Sequence, residues 1–318
     1  MSRGSKKSNG KNEISQGISA DYGNHVGKLI ELARKLSNWA EVNRRYLLAS
    51  ATVFFIFGTT YSIMLLDISV AEIRYWPIAT MMIGIIPLSV LYSAINLRVM
   101  ADASGADMPL SLALKTSVFA ALAESLPIPG GAIVRSVSLT RAGSTLGASV
   151  ELVVAFAVLW IGCAALGAAF ALRSLGLASM LIGLGATSAI IATTLWITLQ
   201  YSMRIAIVAL TLRFLGLVLV SVRVGLVFIA LGLAFDWIDT LAFTFAIVTG
   251  SAAAIIPAGI GISEGISAGL ASLVSVAPAG AFLAVAISRA MGLAFNVAAA
   301  AVISLSTSSD SVGKGETK

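Results

Sequence analysis

Long runs of uncharged apolar residues alternate with short polar breaks along most of the chain. A helix rises about 1.5 Å per residue, so a run of about 20 residues spans the roughly 30 Å hydrocarbon layer of a bilayer. The pattern therefore predicts about six full transmembrane helices. The predicted spans are 47–66, 76–97, 152–172, 174–203, 217–235 and 281–306.

The stretch 204–235 is less regular, because Arg204, Arg213 and Arg223 interrupt its apolar sequence. We prefer an interfacial helix that ends near Arg213, followed by a span over 217–235 with Arg223 near its cytoplasmic end. Two short spans are the alternative that the pattern leaves open.

Two further apolar stretches, at about 110–141 and 241–279, are interrupted by proline and glycine. Proline removes a backbone donor and neighbouring glycines favour turns, so a continuous helix should break in each stretch. Irregular backbone at membrane depth is tolerated only inside protein or beside a wet cavity. We therefore predict two re-entrant hairpins, each made of two half-helices. Their turns are formed by Pro127, Pro129, Gly130, Gly131, Pro257, Gly259 and Gly261.

The two hairpins are predicted to form an inverted repeat. In both turns a proline is followed by three residues and then a glycine, and each hairpin precedes a full span. Counting crossings from a cytoplasmic N-terminus places the first hairpin on the cytoplasmic side, the second on the outside and the C-terminus in the cytoplasm. Lys115, Arg135 and Arg141 then lie inside and Asp236 outside, as the positive-inside rule favours. Inverted repeats with broken helices are a recurrent plan of transporters, which bind substrate at the repeat interface.

The ends of the chain differ from the apolar region over 47–306, which we take as the transmembrane domain. Residues 1–24 are polar and basic and predict a disordered tail. Apolar and basic positions over 25–46 follow helical spacing and predict an amphipathic interfacial helix. Residues 307–318 are a polar C-terminal tail. The basic N-terminal segment predicts contact with an anionic leaflet surface.

Composition supports a membrane protein, because 58% of the 318 residues are hydrophobic and 11% are charged, whereas soluble domains carry about 25% charged residues. We therefore predict an all-α, polytopic protein integral to the plasma (cytoplasmic) membrane. The formal charge of +6 does not indicate nucleic-acid binding, because nine of the 21 Lys and Arg residues lie in the first 45 positions. A single Cys excludes an intrachain disulfide, and a single His excludes zinc sites built from several histidines. The sequence predicts no metal, no cofactor and no enzymatic activity.

The second turn block carries a family resemblance. The segment 256–264, Ile-Pro-Ala-Gly-Ile-Gly-Ile-Ser-Glu, resembles the Pro-Gly-Gly-Ile-Gly-x-x-Glu block of the lysylphosphatidylglycerol synthase transmembrane, or flippase-like, family. Arg289 resembles an arginine that the family places in its last helix. Ala258 and Ser263 depart from the family, which often has Gly and Arg there. The resemblance covers roughly 47–306. It implies a stand-alone membrane domain that moves a lipid between leaflets, without the aminoacyl-transferase domain.

Charged side chains inside a bilayer cost at least ~2.5 kcal/mol at a helix centre and are functional candidates. We predict a substrate-binding cavity between the two hairpins, in which Arg135 lies near Glu264. Arg135 and Arg289 would hold a lipid phosphate, since guanidinium groups form bidentate phosphate contacts. Glu124 and Glu264 would hold these arginines in place, receive a cationic headgroup or carry a coupling proton. As an alternative, Glu264 only caps the half-helix that follows Gly261.

These features predict a flippase-type transporter of a lipid or lipid-linked headgroup, with an anionic or glycosylated membrane lipid as its partner. The alternative is a non-transporting membrane partner of a lipid or polysaccharide glycosyltransferase. A third hypothesis is a transporter of a small solute or ion. An intramembrane enzyme is the weakest, because the sequence has no His pair, Asp-rich motif or obvious activated nucleophile. A second copy of the chain is also a partner compatible with the sequence.

Overall fold

The structure is a computed structural model that describes residues 44–67, 69–124, 130–252, 259 and 261–312. All regular elements in these ranges are helical, which confirms the all-α prediction for the described part of the chain. The helices are α1 Arg44–Leu66, α2 Tyr75–Ala103, α3 Leu110–Ala123, α4 Gly130–Arg141, α5 Leu146–Ala171, α6 Leu177–Gln200, α7 Met203–Ala230, α8 Asp239–Ala252, α9 Ile262–Ala271 and α10 Pro278–Val312. Short 3-10 turns occur at Val70–Glu72 and Arg173–Leu175, and α2 contains a π turn at Met81–Ile85. From Ser50 onward the chain forms one compact unit.

Five helices are long and apolar enough to cross a membrane, which fits a multi-pass membrane protein. They are α2, α5, α6, α7 and the part of α10 over Pro278–Ser306. α1 coincides with the predicted first span, and its residues Thr52–Leu66 form a shorter apolar helix. Large apolar side chains such as Ile83 and Leu199 are exposed on the outer faces of these helices. Apolar surface of this kind is typical of contact with lipid.

Several predicted boundaries fall at the edges of the described residues. The predicted tail over 1–24 and most of the predicted interfacial helix over 25–46 lie outside them, and α1 begins at Arg44. α10 runs to Val312, so the tail predicted from Thr307 begins as helix, and its remaining residues also lie outside the described part of the chain.

The prediction for 204–235 was wrong, because α7 is one continuous helix of 28 residues from Met203 to Ala230. It has neither a break near Arg213 nor a division into two short spans. Arg223 lies near the C-terminal end of this helix and not near its start. The arginines do not end the helix because the protein interior binds them: Arg213 packs against aromatic rings, and Arg223 donates to a backbone carbonyl. Charged groups persist inside a membrane domain where protein groups replace water.

Two consecutive pairs of short helices, α3–α4 and α8–α9, interrupt the series of long helices. α3 and α8 have 14 residues each, α4 has 12 and α9 has 10. At about 1.5 Å per residue they measure roughly 15 to 21 Å, which is too short to cross a layer of about 30 Å. α3 packs against α4 and α8 against α9, so the two helices of each pair lie together. Gly259 and Gly261, predicted for the second turn, lie between α8 and α9. Gly130 and Gly131, predicted for the first turn, are instead the first two residues of α4. Pro127, Pro129 and Pro257 lie outside the described residues.

The long and short helices pack in reciprocal pairs. α5, which follows the first short pair, packs against α8, and α10, which follows the second, packs against α3. α2 and α7, the long helices that precede the two short pairs, pack against each other. The structure has two larger apolar clusters. One contains Leu97 of α2 and Phe156 of α5, and the other contains Met81 of α2 and Phe228 of α7. Both α2 and α7 contribute residues to each cluster.

Gly216 allows the close contact between α7 and α2. A Cβ at Gly216 would overlap the phenol of Tyr92, whose oxygen accepts a hydrogen bond from Arg213. Gly216→Ala should therefore lower the free energy of unfolding by about 1–3 kcal/mol, the usual cost of overpacking, although alanine is the better helix former. Thermal unfolding of the purified protein in a neutral detergent measures the change.

Gly185→Ala in α6 is the matched control, because nothing lies within 4 Å of the added Cβ. This variant should leave the melting temperature unchanged or raise it slightly, since alanine favours the helix. Equal melting temperatures for the two variants would contradict the close contact between α2 and α7.

Candidate functional site

Glu264 lies in the first turn of α9, next to the break that separates α9 from α8. Its Oε2 accepts a hydrogen bond of 2.7 Å from the backbone N–H of Gly261, the residue before the helix. Gly261 has a φ of +85°, which favours glycine. The carboxylate thus binds a backbone amide that the break would leave free, and its charge lies where the helix dipole favours an anion.

Arg289 on α10 reaches the same carboxylate. Its Nη1 lies 2.9 Å from Glu264 Oε1 and 3.2 Å from Oε2, and it donates to the carbonyl oxygen of Gly259 at 3.1 Å. The side chain of Glu264 is 1% exposed and that of Arg289 is 15% exposed. One arginine therefore connects the turn and the first residues of α9 to the span that follows.

Two of the glycines predicted for the turns lie where a side chain would overlap the backbone of the other helix of the pair. A Cβ at Gly259 would overlap the carbonyl of Gly250 at the end of α8, and Gly259 also has a φ of +63°. In the first short pair, a Cβ at Gly130 would overlap the carbonyl of Ala123. The two limbs of each pair can approach this closely only because glycine lacks a side chain.

A second guanidinium group lies beside the Glu264–Arg289 pair. Arg223 of α7 donates from Nη2 to the carbonyl oxygen of Ser288 at 2.6 Å, and the positive charge of Arg289 acts on it. A Cβ at Gly292 would lie 2.7 Å from Arg223 Nη2, so this glycine leaves room for the arginine. Arg223 Nε and Ser288 Oγ are buried without hydrogen-bond partners. A second guanidinium group and unpaired polar atoms therefore lie along the part of α10 that carries Arg289.

Arg135 and Glu124 form the ion pair of the first short pair of helices. Arg135 Nη2 donates to Glu124 Oε1 at 2.7 Å. Their side chains are 27% and 43% exposed, so their surroundings screen this contact more than the Glu264–Arg289 contact. A Cβ at Gly131 would overlap the Glu124 side chain, and the glycine therefore leaves room for the carboxylate.

Arg213 of α7 is buried, with 8% of its surface exposed. Its Nη1 donates to Tyr92 Oη at 3.3 Å, and its Cζ lies 5.1 Å from the centre of the Phe156 ring and 5.8 Å from that of Trp160. Cation–π contacts contribute on the order of 2 kcal/mol when desolvated, which offsets only part of the several kcal/mol that burial of an ion costs. Among the described residues no carboxylate pairs with Arg213. Its Nε has no hydrogen-bond partner.

The four predicted substrate-binding residues thus form two ion pairs, Glu124–Arg135 and Glu264–Arg289. Arg135 and Glu264, which we expected to lie near each other, each have a different partner. Glu264 caps α9 and also holds Arg289, so capping is not its only contact.

The sequence did not identify Arg213 and Arg223 as arginines that are held inside the protein. We had placed them at membrane interfaces, where arginine side chains commonly reach the headgroups. The signal that could have identified them is the apolar sequence on both sides of each arginine. A charge in the middle of such a run needs a partner inside the protein.

In the described ranges, no group of three His, Cys, Asp or Glu side chains could hold a metal ion. Comparison of the chain with protein-family models, curated proteins and solved structures finds no match.

Glu264→Gln should destabilise the protein strongly, because it leaves the buried Arg289 without a counter-charge. Removing one partner of a buried ion pair costs about 3–5 kcal/mol. Glutamine keeps an oxygen that can accept the hydrogen bond from Gly261, so the loss reports the missing charge and not the missing cap. The midpoint of thermal or denaturant unfolding in neutral detergent measures this loss.

Glu124→Gln is the matched control, because its pair with Arg135 is partly exposed and such pairs contribute about 0–1 kcal/mol. The double variant Glu264→Gln/Arg289→Gln should recover part of the lost stability, since it removes the unbalanced charge together with its partner. Equal losses for the two glutamate variants would show that burial does not distinguish the pairs.

Proposed function

We propose that this protein is a flippase-type transporter that moves an anionic lipid, or the headgroup of a lipid-linked molecule, between the leaflets of the plasma membrane. The observation that carries the proposal is the buried Glu264–Arg289 pair with Arg223 beside it. These three groups have one positive charge in excess, at a point where a helix is broken. Such a site favours an anion, and the proposed anion is a lipid phosphate.

The position of Arg289 along its helix supports this role. Arg289 follows Pro278, the first residue of α10, by eleven residues, which corresponds to about 16 Å along the helix. That is near the middle of a hydrocarbon layer of roughly 30 Å, where transporters with broken helices bind their substrates. In the proposed mechanism Arg289 and Arg223 bind the phosphate oxygens, because guanidinium groups match that geometry. Glu264 keeps Arg289 in place and neutralises one of the two charges.

We further propose that α3–α4 and α8–α9 are re-entrant hairpins that enter from opposite sides as an inverted repeat. Their short lengths support this, as does the reciprocal packing of α5 on α8 and of α10 on α3. A two-fold axis in the membrane plane would exchange those two contacts. The headgroup would pass between the hairpins while the acyl chains stay in the bilayer, and both termini would be cytoplasmic.

We also propose membership of the flippase-like family of lysylphosphatidylglycerol synthase transmembrane domains. The support is a contact between the residues that carry the resemblance. Glu264 ends the Pro-x-Gly-x-Gly-x-x-Glu block, and Arg289, which is 25 residues further along the chain, binds it directly.

Single-cysteine labelling tests the re-entrant arrangement in a Cys163→Ala background, which contains no other cysteine. Asp107→Cys and Arg141→Cys flank α3–α4, and Ala234→Cys and Ser272→Cys flank α8–α9, all at exposed positions. The first two should react with a membrane-impermeant maleimide only from the cytoplasmic side and the second two only from outside. The reason is that each hairpin returns to the side from which it enters.

Reaction of Asp107→Cys and Arg141→Cys from opposite sides of the membrane would mean that α3 and α4 together cross it. The inverted repeat of re-entrant hairpins would then be rejected. Labelling of right-side-out and inside-out vesicles in parallel controls for the accessibility of each cysteine.

Leaflet exchange in liposomes tests the transport proposal. The wild type should exchange fluorescent phosphatidylglycerol faster than fluorescent phosphatidylcholine, because the excess positive charge favours an anionic headgroup. Arg289→Lys keeps the charge but loses the planar guanidinium, and it should slow exchange of the anionic lipid about tenfold or more. Dithionite quenching of the outer leaflet measures the exchange rate.

Arg141→Lys is the matched control for that variant, because Arg141 is exposed at the end of α4, and its exchange rate should equal that of the wild type. An unchanged rate in Arg289→Lys would remove this arginine from the pathway. If folded wild-type protein exchanges neither anionic, zwitterionic nor glycosylated lipids, the transport proposal fails and the glycosyltransferase partner takes its place.

A further inference from the structure

The Glu264–Arg289 pair is nearly closed in this structure. The side chain of Glu264 is 1% exposed and that of Arg289 is 15% exposed. A headgroup that binds Arg289 therefore needs a neighbouring helix to move. Because the acyl chains of a transported lipid stay in the bilayer, the opening has to face the lipid sideways.

Helix α1 contacts the protein at two places next to this pair. The ring of Phe54 lies 3.6 Å from the position of a Cβ at Gly265, the residue that directly follows Glu264 in α9. On α10, the ring of Phe282 contacts the rings of Phe54 and Phe55, with centres 6.0 and 6.5 Å apart. α1 therefore lies against the first turn of α9 and against α10.

Phe282 and Arg289 lie on the same face of α10. They are seven residues apart, which is close to two helical turns and about 10 Å along the axis. A Cβ at Gly58 of α1 would overlap the ring of Phe282, so α1 approaches this face closely. The opposite side of α1 is open, since Met64 is 76% exposed. α1 thus packs on the face of α10 that carries Arg289 and has its own outer side free for lipid.

The contacts of α1 are weaker than those of the other helices beside the pair. Over Thr52–Leu66, no described contact of α1 with another helix is a hydrogen bond or an ion pair. By contrast, Arg223 of α7 binds the carbonyl of Ser288 on α10, and Ser221 of α7 shares a hydrogen bond with Thr244 of α8. Helices in a bilayer gain little from burying apolar surface, because lipid is equally apolar, so packing and hydrogen bonds hold them together. α1 is therefore the helix that separates at the lowest cost.

The inner face of α1 also carries a polar group without a partner. Thr59, which follows Gly58, has its Oγ1 buried without a hydrogen-bond partner, and Ser62, one turn beyond Gly58, is 3% exposed. A buried hydroxyl without a partner destabilises the closed contact. A headgroup or a water molecule that passes between α1 and α10 would supply the missing hydrogen bond.

We propose that α1 is a lateral gate, which separates from α9 and α10 and lets the headgroup of a membrane lipid reach Arg289 from the bilayer. The inference rests on the proposed function, because it gives the route by which that substrate enters the site. In the closed state the aromatic contact with Phe282 holds α1 in place. In the open state the headgroup passes the hydroxyls of Thr59 and Ser62 while the acyl chains remain in the lipid.

Cross-linking of α1 to α10 tests the gate in a Cys163→Ala background, which contains no other cysteine. Gly58→Cys/Phe282→Cys removes the overlapping ring, and a short methanethiosulfonate cross-linker joins the two thiols reversibly. The cross-linked protein should exchange fluorescent phosphatidylglycerol about tenfold or more slowly than the unlinked protein, because the closed state binds no headgroup. A reducing agent should restore the rate. Extraction of a short-chain fluorescent lipid by serum albumin measures exchange without a reductant.

Ala169→Cys/Gly183→Cys is the matched control, because it joins α5 to α6, neither of which carries the ion pair. A Cβ at Gly183 would lie 3.5 Å from the Cβ of Ala169, so the same reagent can join the two thiols. Its cross-linking should leave the exchange rate unchanged. Undiminished exchange after complete cross-linking of α1 to α10 would overturn the gate and leave the transport proposal standing.

Phe54→Ala tests the gate without a cross-link. It removes the ring that contacts both α9 and α10, so the open state should become more populated, and the apparent affinity rises with the fraction of binding-competent protein. Isothermal titration calorimetry of the full chain in neutral detergent should show dihexanoyl-phosphatidylglycerol binding about three- to tenfold more tightly than to the wild type. Phe57→Ala is the matched control, because Phe57 is 68% exposed and stacks on Tyr61 of the same helix. Its affinity should equal that of the wild type.

Equal or weaker binding in folded Phe54→Ala would overturn the inference. If the wild type binds dihexanoyl-phosphatidylglycerol but exchanges no lipid, the transport proposal fails, and the gate then stands only if cross-linking of α1 to α10 abolishes this binding. Absence of binding to folded wild-type protein would reject the gate together with the site that it covers.

Discussion

The structure depends on one nearly fully buried carboxylate. A helix break inside a membrane domain leaves backbone groups without partners, and hydrocarbon cannot provide them. Glu264 binds the free amide of Gly261 and the guanidinium of Arg289 at the same time, and Arg289 in turn binds the carbonyl of Gly259. The break between α8 and α9 is therefore stable only when α10 is packed against it. The charge of the pair is therefore a structural requirement of the break.

The same constraint governs the arginines of α7. A buried guanidinium is stable only where the protein surrounds it with acceptors or aromatic faces. The carbonyl of Ser288 serves Arg223, and the phenol of Tyr92 with two rings serves Arg213. Neither set contains a carboxylate of its own. The charged interior therefore has more positive than negative groups, and this excess is the physical basis for proposing an anionic substrate.

The features that the sequence predicted are those set by local chemistry. Span lengths follow from uninterrupted apolar runs, and the helix breaks follow from proline and glycine, whose effects need no distant partner. The arginines of α7 were misplaced because their partners are remote: Tyr92 is 121 residues from Arg213, and Ser288 is 65 residues from Arg223. For Arg135 the unexpected partner is near in sequence, since its ion pair is with Glu124, only 11 residues away.

The two oxygens of Glu264 explain how a bound headgroup can leave the fold intact. Oε2 holds the amide of Gly261 at 2.7 Å, while the shorter contact to Arg289 is made by Oε1 at 2.9 Å. In the proposed function a phosphate oxygen would take over part of the Arg289 contact, and Oε2 would continue to cap α9. The helix start would then persist through each transport cycle, and only the orientation of the guanidinium would change. Arg289 Nη1 contacts both oxygens of Glu264, whereas Gly261 donates only to Oε2. In the proposed function a headgroup could therefore displace the guanidinium without breaking the hydrogen bond that caps α9.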